Sequence, residues 1–207
     1  MVPKLEERAQ QEKKSNEMMG NLERSLPMEF RAVEGEDRVV ELSFSSEIIV
    51  ERWWGAEILD HSDGCVDLSR LSEMGCVLFN HNRDIVIAKI EKAWIENNRG
   101  KAKIRFDEDE ESDKIYQKVK SGTLRGVSTG YIVNNWESVL PGKKSLDGRF
   151  KGPCEIAKRW MPYEISIASV PADASVGVGR SMEPVNGITA DYYSRQLKIN
   201  KAKGGIN

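Results

Sequence analysis

Gly126-Val127-Ser128-Thr129-Gly130 sets a serine between two glycines, the G-x-S-x-G spacing seen where a hydroxyl serves as a nucleophile on a tight bend. A serine hydroxyl attacks a carbonyl only when a neighbouring base takes its proton and oriented donors receive the oxyanion. Imidazole is the usual base, and the chain has two histidines, His61 and His81, both before Ser128. That order excludes the elbow-type hydrolases, which need their histidine after the serine and a helix after the elbow, where Tyr131-Ile132-Val133 reads as strand. Taken alone, the pentapeptide reads more simply as glycines that permit close strand packing.

His81 closes Val77-Leu78-Phe79-Asn80-His81, at the end of an apolar strand, where a side chain is held firmly yet at a solvent edge. His61 lies in the turn-like run Leu59-Asp60-His61-Ser62-Asp63-Gly64, where a surface or capping role suffices. A second chemistry competes for the same residues. His61, Cys65, Cys76 and His81 follow the spacing H-x3-C-x10-C-x4-H, near that of small zinc sites but without their tight Cys-Cys turn and their Cys-Cys-His-His order.

The elements that must position these residues are mostly strands. Val40, Leu42 and Phe44 alternate with Glu41 and Ser43, the period of a half-buried strand. Strands are also expected over 75–79, 85–90, 93–96, 101–106, 123–133 and 164–170. Asp107-Glu108-Asp109-Glu110-Glu111 opens a helix that runs with Ile115, Tyr116 and Val119 on one face, lysines late and Gly122 as its stop, in accord with the helix dipole. Residues 134–160, rich in Pro, Gly and charge, read as a long exposed loop or ragged hairpin. One short helix is expected around 192–197. Many short strands with one or two helices predict a β-rich α+β domain, a small barrel.

The chain has 207 residues, enough for one domain with tails, and carries 31 Lys+Arg against 33 Asp+Glu for a net charge of -2. That balance argues against a nucleic-acid partner, and no apolar run approaches the ~20 residues of a membrane span. The first residues lack the apolar core of a signal peptide. Three cysteines, at 65, 76 and 154, do not form a disulfide framework. Residues 1–27 read as a mobile charged arm, 28–178 as the folded domain, and 179–207 as a polar tail. The five tryptophans, at 53, 54, 94, 136 and 160, are expected in the core or at an interface.

Three segments together carry a resemblance: Val77–His81 followed by Ile85–Ile90, then Ser121–Tyr131, then Glu164–Asp173. In this order, across roughly residues 30–178, they resemble the prohead maturation proteases of tailed bacteriophages, the caudovirus prohead serine protease family. The resemblance implies a closed β-barrel flanked by a few helices, similar in fold to herpesvirus assemblins, and a serine endopeptidase without a cofactor. It implies Ser128 as nucleophile and His81 as base. Assemblins have a second histidine after the serine; this chain has none, so a third member would be another kind of residue, for which the resemblance favours a carboxylate, Glu164 first and Asp173 in reserve, with an ordinary solvent-facing strand residue as the plain reading of Glu164. A backbone amide near Ser128, with Arg125 or Arg159, would serve as oxyanion donor. The implied setting is the immature head within the host cytoplasm, the implied substrates the scaffold and the N-terminal delta region of the major capsid protein, with trimming of the chain's own ends. A homo-oligomer stays open.

The reading from a different class is a non-catalytic, scaffold-like capsid module, in one version stabilised by zinc through His61, Cys65, Cys76 and His81.

Overall fold

Alternation of apolar and polar residues commits a chain to strands, and strands find partners where their buried faces agree. The computed structural model of the chain, which describes residues 13–27 and 30–169, shows ten strands and, after a helical turn at 13–18, two helices. The strands are β1 (Leu22–Pro27), β2 (Phe30–Ala32), β3 (Val39–Ser46), β4 (Val50–Arg52), β5 (Gly55–Leu59), β6 (Cys76–Phe79), β7 (Asn82–Glu96), β8 (Arg99–Phe106), β9 (Gly126–Val139) and β10 (Cys154–Ala168). A short helix, Ser69–Met74, precedes β6, and a longer one, Glu110–Lys120, precedes β9.

All strands belong to one sheet, ordered β1-β9-β10-β6-β7-β8-β3-β2, with β5 added to β10 and β4 to β5. The sheet curls until β3 approaches β9, where Thr129 Oγ1 donates to the Phe44 carbonyl at 2.6 Å. It does not close. In place of the expected closed barrel the described strands form a curled, open sheet, whose two end strands, β1 and β2, pair with β9 and β3 but not with each other. The inner face holds the core, with Phe44, Leu59, Ile104, Phe106, Ile165 and Trp160 almost wholly removed from water. Each such side chain contributes roughly 1.5–3 kcal/mol.

The longer helix forms as its sequence predicts. Asp109 caps it by accepting from the Glu111 and Ser112 amides, and Ile115, Tyr116 and Val119 face the core. Elsewhere the sequence reading needs correction. Among the described residues strand pairing is already present at Leu22, before the expected start at 28, so β1 lies inside the segment assigned to the arm. The strands expected at 85–90 and 93–96 are one strand, β7, with an irregularity between Ile90 and Lys92. The expected loop over 134–160 contains the ends of β9 and β10, and only 140–153 connects them. Its charges misled because they are neutralised internally. Arg149 and Lys158 converge on the buried Asp60 at 2.8 and 2.5 Å, and burial of that carboxyl is outweighed by these cations and Ser62, which hold it well below the usual range. The helix expected at 192–197 and the tail lie outside the described residues.

His61 is a core residue. Nδ1–H donates to the Leu59 carbonyl at 2.9 Å, so Nε2 accepts from Ser45 Oγ at 2.7 Å, and the ring stands edge-on to Trp160. Burial pushes its pKa down from 6.5 to about 4. The unfolded chain therefore takes up this proton first, and the native state loses stability as pH falls from about 6.5 towards about 4, by at most about 3 kcal/mol. Urea unfolding across that range should show the decline, and His61→Gln should flatten it.

Candidate active site

Ser128 stands directly across from Ser166 in the β9–β10 ladder, and Gly130 from Glu164. Residues two apart share a face of a strand, so all four positions line one side of the sheet. On the other edge of β9, β1 sets Ser25 opposite Ser128 and Glu23 opposite Gly130. β6 runs parallel to β10 on its far edge, and the turn from β6 into β7 delivers His81 to the same face.

That turn is a two-residue hairpin. Phe79 pairs with Asn82, and the central Asn80 and His81 both have positive φ, 51° and 59°. Glycine is the usual choice for the second position, so histidine there costs on the order of 1 kcal/mol. Local bonds hold it. The Asn80 amide donates to the Ile167 carbonyl at 3.0 Å, and Asn80 Oδ1 accepts from the Ser169 amide at 2.8 Å. The His81 amide donates to Ser166 Oγ at 3.1 Å, and its Nδ1 meets Glu164 Oε1 at 2.5 Å. A carboxylate can only accept here, so Nδ1 carries the hydrogen, and in the neutral ring Nε2 is then the nitrogen with the lone pair.

Glu164 owes its aim to an irregularity in β10. Register slips between Pro162 and Glu164, so Tyr163 has no partner of its own on β9. The extra residue re-aims the strand, as bulges do, and Glu164 turns towards His81 while remaining largely buried. The Tyr163 ring lies over Gly130, where an added Cβ would meet the ring at 2.7 Å. This second glycine of the pentapeptide is therefore a packing requirement.

Ser128 is fully buried, and its hydroxyl is engaged by β1: Ser25 Oγ donates to it at 3.0 Å, and it donates to the Arg24 carbonyl at 3.2 Å. The same strand reaches the histidine, with Glu23 Oε2 3.8 Å from His81 Nε2. Arg52 fastens β1 by donating to the Glu23 carbonyl at 2.7 Å. Arg52 is itself held by Glu57, at 3.2 Å, and by the Tyr131 hydroxyl at 2.8 Å. Tyr131 also donates to Glu57, and burial together with that carboxylate raises its pKa.

The structure thus joins His81 to Glu164 and places both on the face of Ser128, but among the described residues no hydrogen bond links His81 to Ser128. Arg125 is exposed, three residues before Ser128, and donates to the Gly122 carbonyl. Arg159 pairs with Asn135, far along β10 from Ser166. Neither is placed as an oxyanion donor, and Asp173 lies outside the described residues. The zinc arrangement is not formed. Both ring nitrogens of His61 are taken by Leu59 and Ser45, and the described residues hold no group of three or more His, Cys, Asp or Glu able to bind a metal. Sequence reading missed Ser166, Ser25 and Glu23. Ser166 had a signal, since Glu164-Ile165-Ser166 sits on a strand and puts two polar groups on one face.

The family model of the caudovirus prohead serine protease matches residues 61–187. The major capsid protein of Halomonas phage phiHAP-1 is 38% identical over 146 residues, 69% of this chain and 23% of that protein, so the chain spans about a quarter of this relative's length. Among solved structures, the bacteriophage T4 capsid assembly protease, gp21, aligns with a TM-score of 0.41 and 11% identity over 73% of this chain and 98% of its own.

The packing of Tyr163 on Gly130 can be measured by a double-mutant cycle. Gly130→Ala should lower stability by about 1–3 kcal/mol in the natural chain but by under about 0.5 kcal/mol when Tyr163 is alanine, as read by thermal or urea unfolding.

Proposed function

Because the chain belongs to the caudovirus prohead serine protease family, we propose that it is a serine endopeptidase of capsid maturation, with Ser128 as nucleophile, His81 as general base and Glu164 as the residue that orients the base. The observation that carries this reading is the 2.5 Å contact between His81 Nδ1 and Glu164 Oε1 on the face that also bears Ser128. With Nδ1–H committed to the carboxylate, Nε2 takes the proton from Ser128 Oγ as the oxygen attacks the peptide carbonyl. Glu164 stabilises the imidazolium, which returns the proton to the departing amine. Water then hydrolyses the acyl-enzyme with the same base. Apo geometry often leaves the nucleophile and base apart, and the bond between them tightens when substrate arrives.

The substrates in this reading are capsid proteins within the immature head, the major capsid protein and scaffold. The relative named a major capsid protein supports it, since a segment like this chain forms part of that protein. The described form is a shielded one. A fully buried hydroxyl cannot meet a peptide, and β1 engages Ser128 through Ser25 and Arg24 while Glu23 faces the base. Cleavage or withdrawal of the N-terminal segment is the step that would uncover the pair, which fits a chain that trims itself.

Two outcomes check this function. Co-expressed with its coat protein, the natural chain should cleave coat or scaffold, and Ser128→Ala, His81→Ala and Glu164→Ala should each abolish or strongly reduce cleavage; persistence in Ser128→Ala would overturn the assignment. A chain with a recognition site for an unrelated protease inserted after Pro27 should react faster with a fluorophosphonate at Ser128 once cut than before.

A further inference from the structure

The geometry points to Ser166 as a positioning residue, whose hydroxyl holds both the carboxylate and the backbone of the histidine in register for the chemistry assigned to Ser128, His81 and Glu164; the inference rests on that assignment. Ser166 is completely buried. Its Oγ donates to Glu164 Oε1 at 2.9 Å and accepts from the His81 amide at 3.1 Å. The same carboxylate oxygen accepts from His81 Nδ1.

The three groups therefore close a ring. The His81 amide donates to the hydroxyl, the hydroxyl to the carboxylate, and the histidine returns to that carboxylate through its own side chain. A hydroxyl has one proton to give, and this arrangement spends it on Glu164, which leaves the oxygen lone pairs facing His81. The orientation of each member is thus determined by the next.

Two consequences separate this role from plain packing. Glu164 ends in two oxygens and rotates about its terminal torsion; the Ser166 donor selects the oxygen that faces the ring. His81 has a left-handed backbone that a histidine adopts at a cost, and the bond from its amide to Ser166 anchors that conformation to β10. Without the hydroxyl the amide loses its acceptor and the carboxylate a donor, so the imidazole is free to turn and to exchange its Nδ1 proton for one on Nε2. In that second tautomer Nε2 of His81 carries a hydrogen and has no lone pair to offer Ser128.

The test uses the whole 207-residue chain and the fact that it has two histidines. Nitrogen-15 spectra of the imidazoles, assigned with His81→Ala, should show His81 protonated at Nδ1 in the natural chain. In Ser166→Ala they should show a mixture of tautomers and a loss of the downfield Nδ1 proton, and capsid cleavage should slow about ten- to a hundredfold. Ser166→Thr, which keeps the hydroxyl, should restore both. Ser166→Cys, near in volume but a weak donor, should behave like alanine and gives the answer if the alanine chain does not fold. An unchanged His81 spectrum in a folded Ala or Cys variant overturns the inference, as does a Thr variant of natural stability that matches Ala. If Ser128→Ala still cleaves, the proposed function fails, while the imidazole spectra still decide the place of Ser166.

Discussion

A histidine in the second position of a two-residue turn is a poor choice for the backbone, and much of the site exists to keep it there. The position is fixed by two neighbouring strands: β6 leads into the turn, and β10 supplies acceptors for the amides of Asn80 and His81 and, through Glu164, takes the ring. A longer or more flexible connection would satisfy the backbone at less cost but would let the imidazole wander. Strain tolerated at one residue is exchanged for a side chain with a single orientation.

β10 makes this possible because it is bonded along both edges. It pairs with β9 along its length, with β6 near its end and with β5 near its start, and these partners reach it from different parts of the sequence. The residues around Ser128 thus come from segments more than a hundred positions apart, Ser25 and Ser128 among them. The irregularity at Tyr163 is one of three register shifts along the β9–β10 ladder, and it is the one beside Glu164. The capped charge cluster at Asp60 does comparable service at the other end, pinning the β9–β10 connection to the body of the sheet.

Much of this was legible in the sequence, and the limits have physical causes. Alternation revealed β3, β6, β8 and the start of β9, and the acidic opening and glycine stop revealed the longer helix, because these signals are local. Ser128 stood out by its G-x-S-x-G spacing and His81 by its place at the end of an apolar strand, while the choice of Glu164 rested on the family resemblance together with its place at the opening of an apolar strand. β1, β4 and β5 escaped notice: they are short, carry charges, and owe their strand form to partners remote in sequence. Glu57 is an example, a buried carboxylate that looks like a surface residue until Arg52 and Tyr131 are placed beside it. The zinc spacing failed for the opposite reason, since regular intervals between residues say nothing about which side of a strand each one occupies. The match of 61–187 to the family includes the expected catalytic segments but not β1, the strand that touches Ser128.

β1 is also the end of the sheet, and this ties two properties together that are otherwise separate. Six residues of β1 satisfy the backbone of β9 from Gly126 to Tyr131. Any event that takes β1 away from the serine leaves a row of unpaired amides and carbonyls, the surface on which protein chains add strands to one another. In the proposed protease, baring the serine would therefore also bare an adhesive edge, and an incoming chain that capped this edge would keep it from pairing elsewhere.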